Sequence, residues 1–282
     1  MSLDNDASFI ACTSPFTSAL QQFAPGSDPS SFSLSTITSA LGSLCGSDAF
    51  SACPQNNMTS HLGSFYAACS TELTSQPNQS VQTIYDVLFT LFPLRLAICA
   101  KDDSGNYCAT ELSNSSSAGS AAIADPEKSL QQTLLSKYLY SSSDDGTVVT
   151  RDVSNSTAVL RPNTTTYQDT NLVFLFLQPS MPSATLCTTC TRNIITPFIT
   201  FESNCPYAPG LSNSLLLAGQ VPLYNNITSK CGQSFLSGAV QAAGGLSGGL
   251  TGSAAAPLAI GQELSAAVGA ILGVAAFVAA SL

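Results

Sequence analysis

The short motif with the most chemistry to offer in this chain is Cys187-Thr-Thr-Cys190. A C-x-x-C pair at a helix start can stabilise a thiolate for redox exchange, and it can be half of a zinc site. Neither role is expected here. No clear βαβ unit precedes the pair, no second C-x-x-C exists, and the chain holds a single His, His61, as a further ligand. On a helix the two sulfurs share a face, so each should reach a different partner, with Cys205 and Cys231 the candidates by proximity. The stretch "GLSGG" at 245–249 matches the G-x-S-x-G nucleophile elbow. That elbow needs a strand before it and a helix after it, whereas Ser247 lies among Gly, Ser and Ala. His61 has no acidic residue at helical spacing and reads as a helix-surface histidine. Asp102-Asp103 and Asp144-Asp145 sit in "KDDSGN" and "SSDDGT", which read as turns, while a glycosidase needs two carboxyls across a cleft. The sequence therefore predicts no catalytic residue, no cofactor and no metal. A wall-polysaccharide hydrolase or transglycosidase is the weakest functional reading.

The cysteines have another use. Cys12, Cys45, Cys53, Cys69, Cys99, Cys108, Cys187, Cys190, Cys205 and Cys231 form an even set that predicts disulfides in an oxidising compartment. Six N-x-Ser/Thr sequons, at Asn57, Asn78, Asn114, Asn155, Asn163 and Asn226, fit a secreted glycoprotein. Only 9% of the 282 residues are charged and the net charge is −9, while Ser and Thr together number 69. Solubility must come from hydroxyls, amides and sugars more than from ion pairs. The eight basic residues are scattered, which argues against nucleic acid as a partner.

The last nineteen residues, 264–282, carry no charge. As a helix they would rise about 28 Å, close to the hydrocarbon thickness of a bilayer. No basic stop follows them. Small residues and then a mildly polar spacer precede them, the order required for attachment of a glycosylphosphatidylinositol (GPI) lipid. Ser253 is the expected attachment residue, with Gly252 its nearest competitor. The segment 1–11 has neither the basic nor the apolar region of a signal peptide, so the signal is expected to lie upstream of Met1.

These features need elements to position them, and the expected architecture is mainly α: a disulfide-stapled helical ectodomain with a small β element in its middle. Met58, Leu62, Phe65, Cys69 and Leu73 follow a helical repeat. "SVQTIYDVLFTLFPLRLAIC" is apolar nearly all round, which predicts a central buried helix, kinked or divided at Pro93. Asp86, Pro93 and Arg95 interrupt it too much for a membrane span. "TSPFTSALQQF" and "SLSTITSALGSLC" supply two weaker helices. "DPEKSLQQTLLSKYLY" predicts a helix capped by Asp125, whereas "GTVVTRDV" and "NLVFLFLQP" read as strands. Ile194, Phe198 and Phe201 share a later helix face, and "NITSKCGQSFLSGAV" reads as the last ordered helix. The ectodomain is expected over 12–242, with halves 12–112 and 165–242 around a Ser/Thr-rich insert. A flexible stalk with the attachment region follows over 243–263, and 264–282 is the GPI-signal tail.

Several of these segments, "NYCATEL", "LQPSMPSATLCTTCTRNIITPFITFE" and "SKCGQSFLSGAV", together with the stalk and apolar tail, resemble fungal secreted proteins of a domain family of unknown function. Tyr107-Cys108, Cys187 with Cys190, and Cys231-Gly232 occupy the places of that family's short motifs. The resemblance spans about residues 12–242, and the segment before "SMPSATLC" departs from the family pattern. It implies a helical, disulfide-bonded ectodomain, GPI-anchored at the plasma membrane or cell wall, with no catalytic residue established. The expected partners are the membrane, through the lipid, and cell-wall glucan. The alternative is a binding module in which helices 81–100 and 187–202 enclose a lipid or small hydrophobe.

Overall fold

A computed structural model describes residues 6–20, 33–110, 140–141 and 161–236. The described part is mainly α. It comprises α1 (Ala7–Leu20), α2 (Leu34–Leu44), α3 (Ser47–Ala52), α4 (Gln55–Leu73), α5 (Gln79–Ile98), α6 (Thr164–Thr170), α7 (Ser183–Leu186), α8 (Thr189–Asn204) and α9 (Gln220–Cys231). A two-residue antiparallel ladder pairs β1 (Tyr140–Ser141) with β2 (Arg161–Pro162).

A chain short of charges starts its helices with uncharged side chains. Ser33, Asn78, Asn163 and Thr188 each accept a backbone N–H of the first turn, at α2, α5, α6 and α8. Such caps satisfy amides that have no carbonyl partner within the helix, and each stabilises by about 1 kcal/mol. At α1 the same task falls to the Asp6 carboxylate, which accepts from Ser8 N at 2.8 Å and Phe9 N at 3.1 Å.

The middle of the molecule is α5. Its buried positions fall on every side of the helix, so protein surrounds it, as its apolar composition predicts. By length and composition this helix could cross a membrane, and the burial identifies it as a core helix instead. It runs through Pro93 undivided. One hydrophobic core joins α1–α5 to α6–α9. Against α5 pack α4 and α8, the latter through Phe201, whose ring lies 5.1 Å from Phe89 and 5.4 Å from Phe92. These ring contacts lie between the two helices that the sequence offers as walls of a ligand pocket. On α4 the predicted face holds, with Met58, Leu62 and Leu73 buried and Phe65 and Cys69 half-buried. At Cys69 the backbone leaves helical geometry, with φ −125° and ψ 24°.

The expected strand at "NLVFLFLQP" does not form. Residues 172–174 make a single 3-10 turn, and Asn171, Leu175 and Phe176 take positive φ values of 51°, 51° and 65°. The segment winds around Asn171, whose carbonyl accepts from Phe174 N and Phe176 N and whose Nδ2 donates to Leu177 O at 2.8 Å. A short apolar run gives no period to separate strand from other buried structure. Asn, which tolerates left-handed backbone, turned the chain inward. Gly219 completes the knot: a Cβ there would stand 1.9 Å from Asn171 Oδ1. The predicted helix over 125–140 and strand over 146–153 fall almost wholly outside the described residues. Over the expected last helix, α9 begins earlier and breaks after Cys231, where Gly232 takes φ 91°, and residues 234–236 are helical again.

Four disulfides fasten this core: Cys12–Cys53, Cys45–Cys99, Cys108–Cys190 and Cys187–Cys231. Cys187 and Cys190 do reach different partners. Cys187 bonds one of the two candidates, Cys231, whereas Cys190 bonds Cys108 and not Cys205. The two also do not share a helix, because Cys187 precedes Thr188, the cap of α8. Cys69 and Cys205, expected among the bridging cysteines, are both free thiols.

Candidate functional site

The two charged residues that interrupt α5 are its most informative positions. Asp86 is fully buried and meets four donors. Its Oδ1 accepts from the Tyr207 hydroxyl and from Ser214 Oγ, the latter at 3.0 Å. Its Oδ2 accepts from Leu215 N at 2.6 Å and Leu216 N at 3.1 Å. Burial pushes the carboxyl up to about 6, and the four donors hold it from rising further. With four donors of the loop 207–216 on its two oxygens, the group has the arrangement of a structural anchor.

Arg95, nearly as buried, meets no carboxylate among the described residues. Its Nη1 donates to Ala49 O at 2.8 Å and its Nη2 to Cys53 O at 3.2 Å, the free carbonyls at the end of α3. Its guanidinium stands over the Phe50 ring at 4.8 Å. Burial pulls it down to about 10, still charged at neutral pH. Sequence reading treated both residues only as obstacles to a membrane span. An isolated charge inside an apolar run was the available signal that each has a buried partner.

His61 is not on the surface. It is 8% exposed, packed edge-on against Phe9 at 5.6 Å. The acid that helical spacing does not supply comes from the start of α1. Ser8 Oγ lies 3.0 Å from His61 Nε2, and Asp6 Oδ1 lies 3.8 Å from the same nitrogen. Ser, His and Asp thus gather at one place, but the catalytic order differs. A hydrolytic triad needs the carboxylate on one ring nitrogen and the serine on the other. Here both crowd Nε2, and the serine hydroxyl donates to the Asp6 carboxylate at 2.6 Å.

Asp102 behaves as the sequence predicts, closing its own turn by accepting from Ser104 N, Asn106 N and Asn106 Nδ2. Its neighbour Asp103 accepts from Thr189 Oγ1 at 2.7 Å, which docks the turn on the start of α8. Asp144 and Asp145 lie outside the described residues. Glu202 is pushed up to about 7 by burial and accepts from Gln220 Nε2 at 2.7 Å, a contact that ties α8 to α9. Among the described residues no three His, Cys, Asp or Glu side chains gather as a metal set.

Four sequons fall on described residues. Asn78 is exposed and Asn57, Asn163 and Asn226 partly so. Asn78 and Asn163 cap helices through Oδ1. A sugar is attached through Nδ2, so a glycan at either leaves the cap in place. Asn226 donates from Nδ2 to Pro222 O at 3.0 Å. Asn114, Asn155, Gly252, Ser253 and the tail 264–282 lie outside the described residues.

Compared with known proteins, the chain matches no family, no curated protein and no solved structure.

Proposed function

We propose that this chain is a non-enzymatic, GPI-anchored surface glycoprotein of the fungal plasma membrane or cell wall, in which the helical head is the displayed part. The observation that supports this reading best is the set of four disulfides. They join segments separated by 41 to 82 residues in sequence. Bonds of that kind form and persist where thiols are oxidised, which in most cells means the secretory route and beyond. Sequons at partly or fully exposed helix starts suit the same route, and the sugars would supply the water affinity that so few charges leave wanting. The uncharged C-terminus serves as the signal exchanged for the lipid at Ser253 or Gly252, and the Gly/Ser/Ala stretch over 243–263 holds the head away from its anchor.

The test is release. Cells expressing the chain behind a secretion signal are treated with phosphatidylinositol-specific phospholipase C. The head is expected in the medium, carrying N-glycans and lacking residues 264–282. Retention of Leu282 in the mature protein overturns the anchor, and alkylation of all ten cysteines in the isolated protein overturns the compartment.

A further inference from the structure

Ten cysteines and four bridges leave two thiols, Cys69 and Cys205, and the elements that carry them meet at the same buried ring. Tyr85 of α5 meets Phe65 and Tyr66 of α4 at centroid distances of 5.9 and 6.4 Å. It also meets Tyr207, beyond the end of α8, at 5.4 Å. Cys69 follows Phe65 by four residues and Tyr66 by three, which places it on the same side of α4, one turn further on. Cys205 precedes Tyr207 by two residues, and burial first, with Cys205 next, pushes the Tyr85 phenol up to about 12. Both thiols are half-buried against the common core.

The course of the helices sets the two along the same half of α5. Along α8, Asn193 bonds Lys101 O, Phe201 meets Phe92 and Phe89, and Tyr207 meets Phe89 and Tyr85. The chain therefore descends α5 from its C-terminal end and reaches the level of Tyr85 at Cys205. A short loop joins α4 to α5, so the last turns of α4, with Cys69, lie along the same N-terminal half of α5. At each cysteine the backbone has left the helix. Cys69 has φ −125° and ψ 24°, and Cys205 has φ −140° and ψ 83°. A disulfide requires Cα atoms about 4.4–6.8 Å apart with their Cβ atoms facing. Residues outside helical constraint reach that geometry by local rotation, without unwinding a turn.

We propose that Cys69 and Cys205 are a redox-active pair that closes into a fifth disulfide, tying α4 to α8 across the N-terminal half of α5. The oxidant is a small or protein disulfide, such as oxidised glutathione. One protein thiolate attacks a sulfur of the oxidant, whose S–S bond breaks to give a mixed disulfide and one free thiol. The second protein thiolate then displaces the other oxidant sulfur. Two protein S–H bonds become one S–S bond, and the oxidant gains the two electrons and two protons as two thiols. Closed, the pair links the two halves of the head opposite Cys108–Cys190, which links them near the C-terminal end of α5. The proposal rests on the oxidising-compartment reading, and its test separates the two.

Purified glycoprotein is incubated with oxidised glutathione, alkylated with N-ethylmaleimide, digested without reduction and mapped by mass spectrometry. A cross-linked peptide pair containing Cys69 and Cys205, two hydrogens lighter than the separate peptides and formed in a monomer, is the expected result. The closed form should also melt at a higher temperature than the open one, and Cys69→Ser should leave Cys205 as a glutathione adduct. Maleimide on both cysteines, separate glutathione adducts on each, or a bridge to a second molecule overturns the pair while the other four bridges stand. If the protein before oxidation carries ten free thiols, the compartment reading fails instead.

Discussion

The two halves of α5 solve one problem in opposite ways. Each buries a charge, and at nine residues apart, about 13 Å of helical rise, Asp86 and Arg95 cannot neutralise each other. Near the N-terminal half, the acid gathers donors from the loop 207–216, more than 120 residues away in sequence. Toward the C-terminal end, the base uses carbonyls of the nearby α3, and four residues later Cys99 bonds Cys45. One end is held by a dense polar anchor with free thiols alongside it, the other by a covalent bond with a lighter polar contact. Burial of a charge is tolerated when local partners satisfy it, whatever their own charge. The donor count follows how much else holds that end.

Breaking the anchor should have the largest effect. Asp86→Ala leaves Tyr207, Ser214 and two backbone amides without an acceptor in the interior, and is expected to destabilise the head by about 3–5 kcal/mol. A shift in denaturant midpoint measures it, and a loss below about 1 kcal/mol would make the two ends equivalent. Next comes the paired change Cys45→Ser with Cys99→Ser, with an expected loss of about 2–4 kcal/mol as the covalent hold on the other end disappears. Arg95→Met removes a buried charge while keeping much of the packing against Phe50 and Phe92. It strands two carbonyls, so a loss of about 1–2 kcal/mol is expected, smaller than at Asp86.

The smallest effect is on pH dependence. Asp86 and Glu202 are raised to about 6 and about 7 by burial, above the ordinary carboxyl values of 3.8 and 4.5. Between the ordinary and the raised value the folded state binds more protons than the unfolded one. Their contribution to stability is thus fully present below about pH 4 and is lost as pH rises through about 6 and about 7. Melting temperature should rise by a few degrees from pH 7.5 to 5, and Asp86→Asn should remove the part that falls near pH 6. Arg95→Met should leave this profile unchanged.

Much of this architecture was legible because it is periodic. The face of α4 and the apolar circumference of α5 follow from local spacing, whereas Cys187 and Cys190 reach separate partners without the shared helix from which that was expected. What failed depended on distant groups. His61 was read against its own helix, and its neighbours Asp6 and Ser8 come from another. Cys190 was paired by nearness in sequence, but helix packing brought Cys108 to it. Residues 171–179 offered only an apolar run, and the left-handed turn at Asn171 with the close approach of Gly219 has no repeat to reveal it. The polar anchors were visible as anomalies in α5, yet their donors and acceptors could not be named without the fold.

The span between Asp86 and its donors also fixes an order of events during synthesis. When α1–α5 have left the ribosome, Cys12, Cys53, Cys45 and Cys99 are all present and can bond. Arg95 already has its carbonyls. Asp86 must wait for Tyr207 and Ser214, so the nascent first half stays hydrated around that carboxylate until nearly the whole head has been made. The last loop to emerge is the one that closes the centre.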